Sequence, residues 1–230
     1  MSYFERITLG VLTHMGDTGR ERQPQAFRPL VAFDFDGTLT WKDSFTAFLA
    51  WRAGPRRYAA GVASLAPAAA SYLFHRDRGR LKAAAVRRFL AGASRAELEA
   101  DAQDFATAQG RALLRSDAVR AWRRWQAEGA RVVIVTATPE IVVAPIARAL
   151  GADMLIGTRL AFDDAGRATG AFVGANCRGP EKVRRLREAF GEDVRLEAAY
   201  GDTDGDREML ALAEEQGLRV FNGKGRSASL

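Results

Sequence analysis

Asp34 and Asp36, two apart with Gly37 directly behind them, are the residues of this 230-residue chain best placed to do chemistry. They follow Leu30 to Phe33, an apolar run without alternation, as expected of a parallel strand buried on both faces. If the strand continues through them, its period of two points both carboxylates the same way. Gly37 then permits a sharp turn. Paired carboxylates repel, and burying them uncompensated is costly, so a cation between them is the natural partner. A solvated acidic turn at a strand end accounts equally well for these residues alone, and the rest of the chain has to decide.

Three more places carry chemistry. Arg131 to Val135 reads as a second buried strand ending in Thr136-Ala137-Thr138. Leu196 to Tyr200 reads as a third, followed at once by Gly201 and by Asp202, Asp204 and Asp206. One of these acids can cap the next helix; the others are surplus to local structure. Lys182 falls in the first turn of a helix opening Gly179-Pro180-Glu181, where the helix dipole favours acids. An anionic partner, phosphate or carboxylate, explains a lysine there. In open parallel sheets ligands gather at the carboxyl ends of the strands. Asp34, Asp36, Thr136 and Asp202 would therefore meet at one edge, where carboxylate oxygens suit a hard cation such as Mg²⁺.

The elements that must position these residues alternate. A strand over about 30–35 is followed by helical, alanine-rich sequence from Trp41 to Arg115 with no strand-like run. Phe45, Phe48 and Leu49 stripe one helix that stops at Gly54-Pro55, and Ser94-Arg95-Ala96-Glu97 is a capping box opening another. After Arg115 comes a helix capped by Ser116, then the second strand. Thr138-Pro139-Glu140 reads as N-cap, first-turn proline and first-turn acid of the next helix. Met154–Leu160 and Ala171–Val173 suggest a hairpin around Asp163 to Gly166. The chain closes with a helix over Arg207–Gln216 and a strand over Leu218–Phe221. This pattern predicts an α/β fold with a Rossmann-like parallel sheet core over residues 27–40 and 116–230. An all-helical cap is inserted over 41–115, and residues 1–26 form an N-terminal tail.

Composition narrows the classes. A hydrophobic fraction of 47% and a charged fraction of 27% are those of an ordinary soluble globular chain. The single cysteine, Cys177, excludes an intramolecular disulfide, and His14 and His75 lie apart from other ligand residues, which argues against zinc. No secretory signal is evident: residues 7–12 are too short an apolar run. Residues 41–115 hold 13 Lys and Arg against 6 Asp and Glu, so they carry the whole of the chain's net charge of +6. A phosphorylated substrate, an anionic membrane surface or nucleic acid would each suit that segment, as would solvated arginine faces.

With Asp34-Phe35-Asp36-Gly37-Thr38, a strand ending in Thr136, Lys182 in a Gly-Pro-Glu-Lys run, and Gly201-Asp202 followed by Asp206, the chain resembles the haloacid dehalogenase superfamily. The four motifs stand in order and the likeness covers residues 28–222. The helical insertion is similar to that of the subfamily containing phosphoserine phosphatase. Asp43-Ser44-Phe45 and Cys177 to Lys182 look closest to phosphatidylglycerophosphatase C-like proteins. The resemblance implies a Mg²⁺-dependent phosphomonoester hydrolase. In it Asp34 is the nucleophile and Asp36 the acid and base. Thr136, Ala137 and Lys182 bind phosphate, and Asp34, Asp36 (through its main-chain carbonyl), Asp202 and Asp206 hold the metal. Where phosphoserine phosphatase carries a glutamate nine residues after its nucleophile, this chain has Asp43, a shorter acid expected to bear on specificity.

Tyr58 to Phe74 contains no charged residue and is flanked by Arg56-Arg57 and by His75-Arg76. It is short and weakly apolar for a membrane span, interrupted by Pro67, and reads either as a cap helix buried against its neighbours or as a face for a membrane surface. The expected substrate is thus a lipid phosphate such as phosphatidylglycerophosphate. The expected location is the cytoplasm, peripheral to the inner face of the membrane. Phosphoserine or another small phosphorylated metabolite is the alternative substrate. A non-catalytic protein binding anionic membrane or RNA is the alternative from another class, although the resemblance makes nucleic acid an unexpected partner.

Overall fold

The computed structural model describes residues 28–66 and 78–223. The expected tail and the second half of the Tyr58–Phe74 run lie outside these residues. Six strands form one sheet in the order β4-β3-β2-β1-β5-β6. They are β1 (Leu30–Phe33), β2 (Arg131–Pro139), β3 (Met154–Phe162), β4 (Ala168–Val173), β5 (Leu196–Gly201) and β6 (Ala213–Leu218). Only the β3–β4 pair is antiparallel, the expected hairpin. β1 lies between β2 and β5, so the chain's crossovers reverse direction around it and leave a crevice at its carboxyl end.

The unbroken apolar runs are explained by burial on both faces. Val31 and Phe33 point into one core with Trp122, Ile134, Val143 and Leu150. Ala32, Val133 and Val135 point into the other, with Leu186, Leu196 and Met209. Between β1 and β2 every described element is helical: α1 (Ser44–Ser64), α2 (Arg78–Leu90), α3 (Arg95–Phe105), a π-turn over Ala106–Gly110, a single turn at Arg111–Leu113, and α4 (Ser116–Ala127). Gly54 (φ 72°, ψ 163°) breaks α1 where the stop was expected, but the helix resumes at Pro55 on a new axis. The capping box at Ser94 is made in both directions. Ser116, read as a cap, is the first residue of α4.

Phe45, Phe48, Leu90, Leu98 and Phe105 form a third core that rests on Val142 of α5 (Glu140–Leu150) and on Leu160 and Ala168 of the hairpin. The helical segment is thereby seated over the sheet's carboxyl edge. The hairpin also pairs its backbone with the α2–α3 turn, through Gly92 N to Ala168 O and Ala168 N to Ala93 O, both at 2.8 Å. In the described part of the apolar run, Gly61 is buried against Phe89 and Tyr58 stacks on that ring at 5.6 Å. Ala59, Ala60, Val62 and Ala63 are exposed, so burial against neighbours does not account for this stretch. No helix among the described residues is long and apolar enough to cross a membrane.

The last third departs from expectation. After α6 (Pro180–Phe190) and β5, the helix starting at Arg207 runs only to Leu210 (α7), and β6 occupies Ala213–Leu218 rather than 218–221. Ala213-Glu214-Glu215-Gln216 favours helix locally, but pairing with β5, Leu196 to Ala213 through Gly201 to Leu218, overrides that preference.

Candidate active site

The strand ends meet as the spacing predicts. β1 delivers Asp34, whose main-chain N–H still donates to Tyr200 O of β5 at 2.8 Å. Gly37 (φ 83°) turns the chain so tightly that a Cβ there would lie 2.1 Å from Asp202 Oδ2. The turn is pinned from outside by Arg115, whose Nε donates to Gly37 O at 3.2 Å and Thr40 O at 3.3 Å. β2 loses register with β3 between Val135 and Pro139, and this irregularity frees Thr136, Ala137 and Thr138 for the site.

Lys182 is 1% exposed, and its Nζ donates to Asp34 Oδ1 (2.6 Å), Val135 O (2.6 Å) and Asp206 Oδ1 (2.7 Å). All three ammonium donors are thus spent on the protein, and the anionic partners expected of this lysine are two carboxylates of the chain. Burial alone would depress Lys182, but Asp34 and Asp206 more than offset it and hold the ammonium above its usual range. Burial pushes Asp34 up to about 7 against the pull of Lys182, with Asp206 and Asp36 adding to the rise. Burial would likewise raise Asp206, yet Lys182 and the Thr203 donors keep it low. Its Oδ2 accepts from Asp202 N, Thr203 N and Thr203 Oγ1 at 2.9–3.2 Å.

Asp34, Asp202 and Asp206 each present an oxygen within 4.8 Å of the others. Burial, and then Asp206, raises Asp202 as well. Three crowded carboxylates served by one lysine form an all-oxygen donor set with charge to spare, which fits a hard divalent cation. The Asp36 side chain stands outside this trio. Its Oδ1 accepts from Ser44 N (2.7 Å) and its Oδ2 from Thr138 Oγ1 (2.5 Å), while the Thr40 hydroxyl, 3.4 Å from Oδ1, gives its proton to Lys42 O at 2.7 Å. Burial, followed by nearby Asp43, raises Asp36 too. Asp43 is the N-cap of α1, accepting from Thr46 N at 2.6 Å, and it also lines the cavity.

Thr138 is not the cap that its place before Pro139 suggests. β2 extends through Pro139, which occupies the N-cap position with no side-chain bond, and the Thr138 hydroxyl goes to Asp36 instead. Lys82 of α2 reaches the same spot, with Nζ 3.0 Å from Ala137 O and 3.5 Å from Thr138 Oγ1. Neither role was legible. A second hydroxyl two residues beyond Thr136 was the available signal for Thr138, while nothing around Lys82 distinguishes it. The Oγ atoms of Thr38 and Ser44 are buried with no partner among the described residues, a polar surplus beside the two aspartates.

Above this polar floor opens a cavity of about 570 Å³. One side carries Asn176 and Arg178; the opposite wall is apolar, from Leu49, Tyr58, Val62, Leu65, Leu81 and Phe89 of α1 and α2 and the residue following α1. The family model of the haloacid dehalogenase-like hydrolases matches residues 31–211, spanning every element named in this site. The chain belongs to that family.

Among its relatives, the protein CicA of Caulobacter vibrioides is 64% identical over 195 residues, covering 85% of this chain and 87% of the relative. A probable phosphatase of Mycobacterium tuberculosis is 38% identical over 95 residues, 41% of this chain and 32% of the relative. A protein of unknown function from Bordetella pertussis Tohama I superposes with a TM-score of 0.68 at 28% identity, covering 82% of this chain and 88% of that one. Substrate-bound phosphoserine phosphatase superposes at 0.59 and 22% identity over 84% and 86%, a likeness of fold. Within the matched span Asp34, Asp36, Thr136, Lys182, Asp202 and Asp206, far apart in sequence, line one cavity at the carboxyl edge of the sheet.

Proposed function

We propose that this chain is a phosphatase that cleaves phosphomonoesters through an aspartyl-phosphate on Asp34. The observation carrying this reading is the buried Asp34 carboxylate, fixed by Lys182 at 2.6 Å within a trio of acids fit for a hard cation. Asp34 attacks phosphorus, the bond from phosphorus to the ester oxygen breaks, and a proton on Asp36 passes to the departing oxygen, releasing the alcohol. Asp36, now a carboxylate, takes a proton from a water whose oxygen attacks the phosphorus as the bond from phosphorus to the Asp34 oxygen breaks. Inorganic phosphate leaves, and both aspartates return to their starting states. Thr136 and the Ala137 backbone N–H receive the phosphoryl oxygens, and Lys182 joins them when a phosphoryl oxygen displaces one of its three protein acceptors. Asp34, Asp202, Asp206 and, as the family resemblance implies, the main-chain carbonyl of Asp36 would hold Mg²⁺, which when bound would supply positive charge against the phosphoryl group. The names of relatives, a probable phosphatase and phosphoserine phosphatase, agree with this chemistry.

The substrate's alcohol carries an apolar body. The wall facing the phosphate floor is built from Leu49, Tyr58, Val62, Leu65 and Phe89, which suits a lipid or other hydrophobic phosphomonoester, phosphatidylglycerophosphate being one. Asp43, a shorter acid than the glutamate of phosphoserine phosphatase and with one oxygen engaged by Thr46 N, would reach less far toward the amino group of phosphoserine. The deciding experiment is phosphate release from p-nitrophenyl phosphate with Mg²⁺. Chelator abolishes it reversibly, and Asp34→Asn abolishes it outright; activity retained in Asp34→Asn rejects the nucleophile.

A further inference from the structure

Thr138 is wholly buried. It stands where a helix N-cap is expected, yet its hydroxyl makes the 2.5 Å bond to Asp36 Oδ2. We propose that Thr138 is a positioning residue for Asp36, and that Lys82, carried on α2, keeps the Thr138 hydroxyl pointed at it. The inference rests on the acid and base role given to Asp36 above.

The geometry fixes the carboxyl from both sides. Ser44 N holds Oδ1 at 2.7 Å, and Thr138 holds Oδ2. Rotation of an aspartate carboxyl about its last torsion is soft, so a single held oxygen leaves the plane free to swing. Two held oxygens define it, and proton delivery depends on such alignment. Thr138 has one proton to give. An ammonium only donates, so Lys82 Nζ, 3.5 Å from Thr138 Oγ1, can only be a donor to it, leaving the hydroxyl proton for Asp36. Lys82 is itself held by Ala137 O at 3.0 Å, and Thr138 N by Thr136 Oγ1 at 3.1 Å. A path of contacts thus runs from a helix of the inserted segment to the group that protonates the leaving oxygen.

Misaligning Asp36 matters in proportion to how much the leaving oxygen needs a proton. Substituted phenyl phosphates of graded leaving-group acidity share one shape, so the dependence of log kcat/KM on leaving-group pKa reads that need directly. Thr138→Val is expected to steepen the dependence, with phenyl phosphate losing about tenfold more kcat/KM than p-nitrophenyl phosphate. Thr138→Ser restores the wild-type slope, and Lys82→Met steepens it less than Thr138→Val. In an Asp36→Asn background Thr138→Val changes the slope no further. Equal losses on all esters in Thr138→Val, or a steep slope in Thr138→Ser, overturn the inference while the Asp36 role stands. If Thr138→Val does not fold, the slopes of Lys82→Met and Thr138→Ser decide. A wild-type slope in Asp36→Asn rejects the Asp36 role itself, and the inference with it.

Discussion

The two aspartates that open the site differ in what surrounds them. Asp34 faces one ammonium and two other acids; Asp36 accepts its hydrogen bonds from neutral donors, Ser44 N and Thr138, with the Asp43 charge nearby. Burial raises both carboxyls, and the Lys182 ammonium opposes that rise at Asp34, whereas no cation among the described residues hydrogen-bonds Asp36. Gly37 makes the contrast geometrically attainable, because its positive φ and missing side chain let the turn close onto Asp202. Gly37→Ala would force an L-residue into a left-handed conformation, costing about 1–2 kcal/mol. It would also drive Asp202 out of the acid trio. The expected result is a lower urea midpoint together with a higher Mg²⁺ requirement for phosphate release; if both match the wild type, the close approach of Gly37 and Asp202 is unimportant. At this scale the sequence was informative about placement where a residue's own motif sets its position, as for Asp34, Asp202 and Lys182, which the fold brings together. It was silent where the role comes from a contact across the fold. Lys82 and Ala137 meet over 55 residues, and Thr138 and Asp36 over 102.

The strands and helices bring these residues together because most are specified by local pattern. β1, β2 and β5 are apolar runs with no competing preference, and Ser94 and Glu97 close their own cap. β6 was missed because an edge strand containing Glu214, Glu215 and Gln216 has a helix former's composition and is held by β5 alone. Placement of α6 depends on a similar non-local tie. Buried Arg185 donates to the carbonyls of Gly157 and Ala175 and, at 2.7 Å, to Glu181 Oε1, fixing the helix start that aims Lys182 inward. Arg184, then Arg185, holds the Glu181 carboxyl down to about 2 from an ordinary 4.5, against the opposing effect of burial. A depressed carboxyl stabilises the fold fully above about 4.5, and that contribution disappears as the pH falls toward about 2. Glu181→Gln should therefore lower the urea midpoint at pH 7, with the gap narrowing steadily as the pH is taken below about 4.5. A gap that stays constant down to the acid limit would assign the loss to packing rather than to the ion pair.

Over the whole molecule, residues 41–66 give the cavity much of its apolar lining together with Lys42. Trp41 and Val62 line the cavity and remain 37% and 47% exposed, and Arg56 and Arg57 beside them are exposed as well. Exposed apolar side chains on a segment that also carries exposed arginines would suit a substrate drawn from an anionic lipid surface, where each nearby basic side chain adds about 1 kcal/mol of attraction. Two measurements separate this from a cavity that merely tolerates apolar groups. Across a series of n-alkyl phosphates, kcat/KM should climb with chain length by close to fourfold per carbon, from about 0.8 kcal/mol per buried CH₂, until the cavity is filled. Flotation with vesicles containing phosphatidylglycerol should retain the protein at low salt and release it as salt is raised. Val62→Glu is expected to weaken retention and flatten the chain-length series together, because the same side chain serves the rim and the wall. A flat series in the wild type beside brisk hydrolysis of phosphoserine would place the specificity with Asp43 and Arg178 and make the apolar wall a structural surface only.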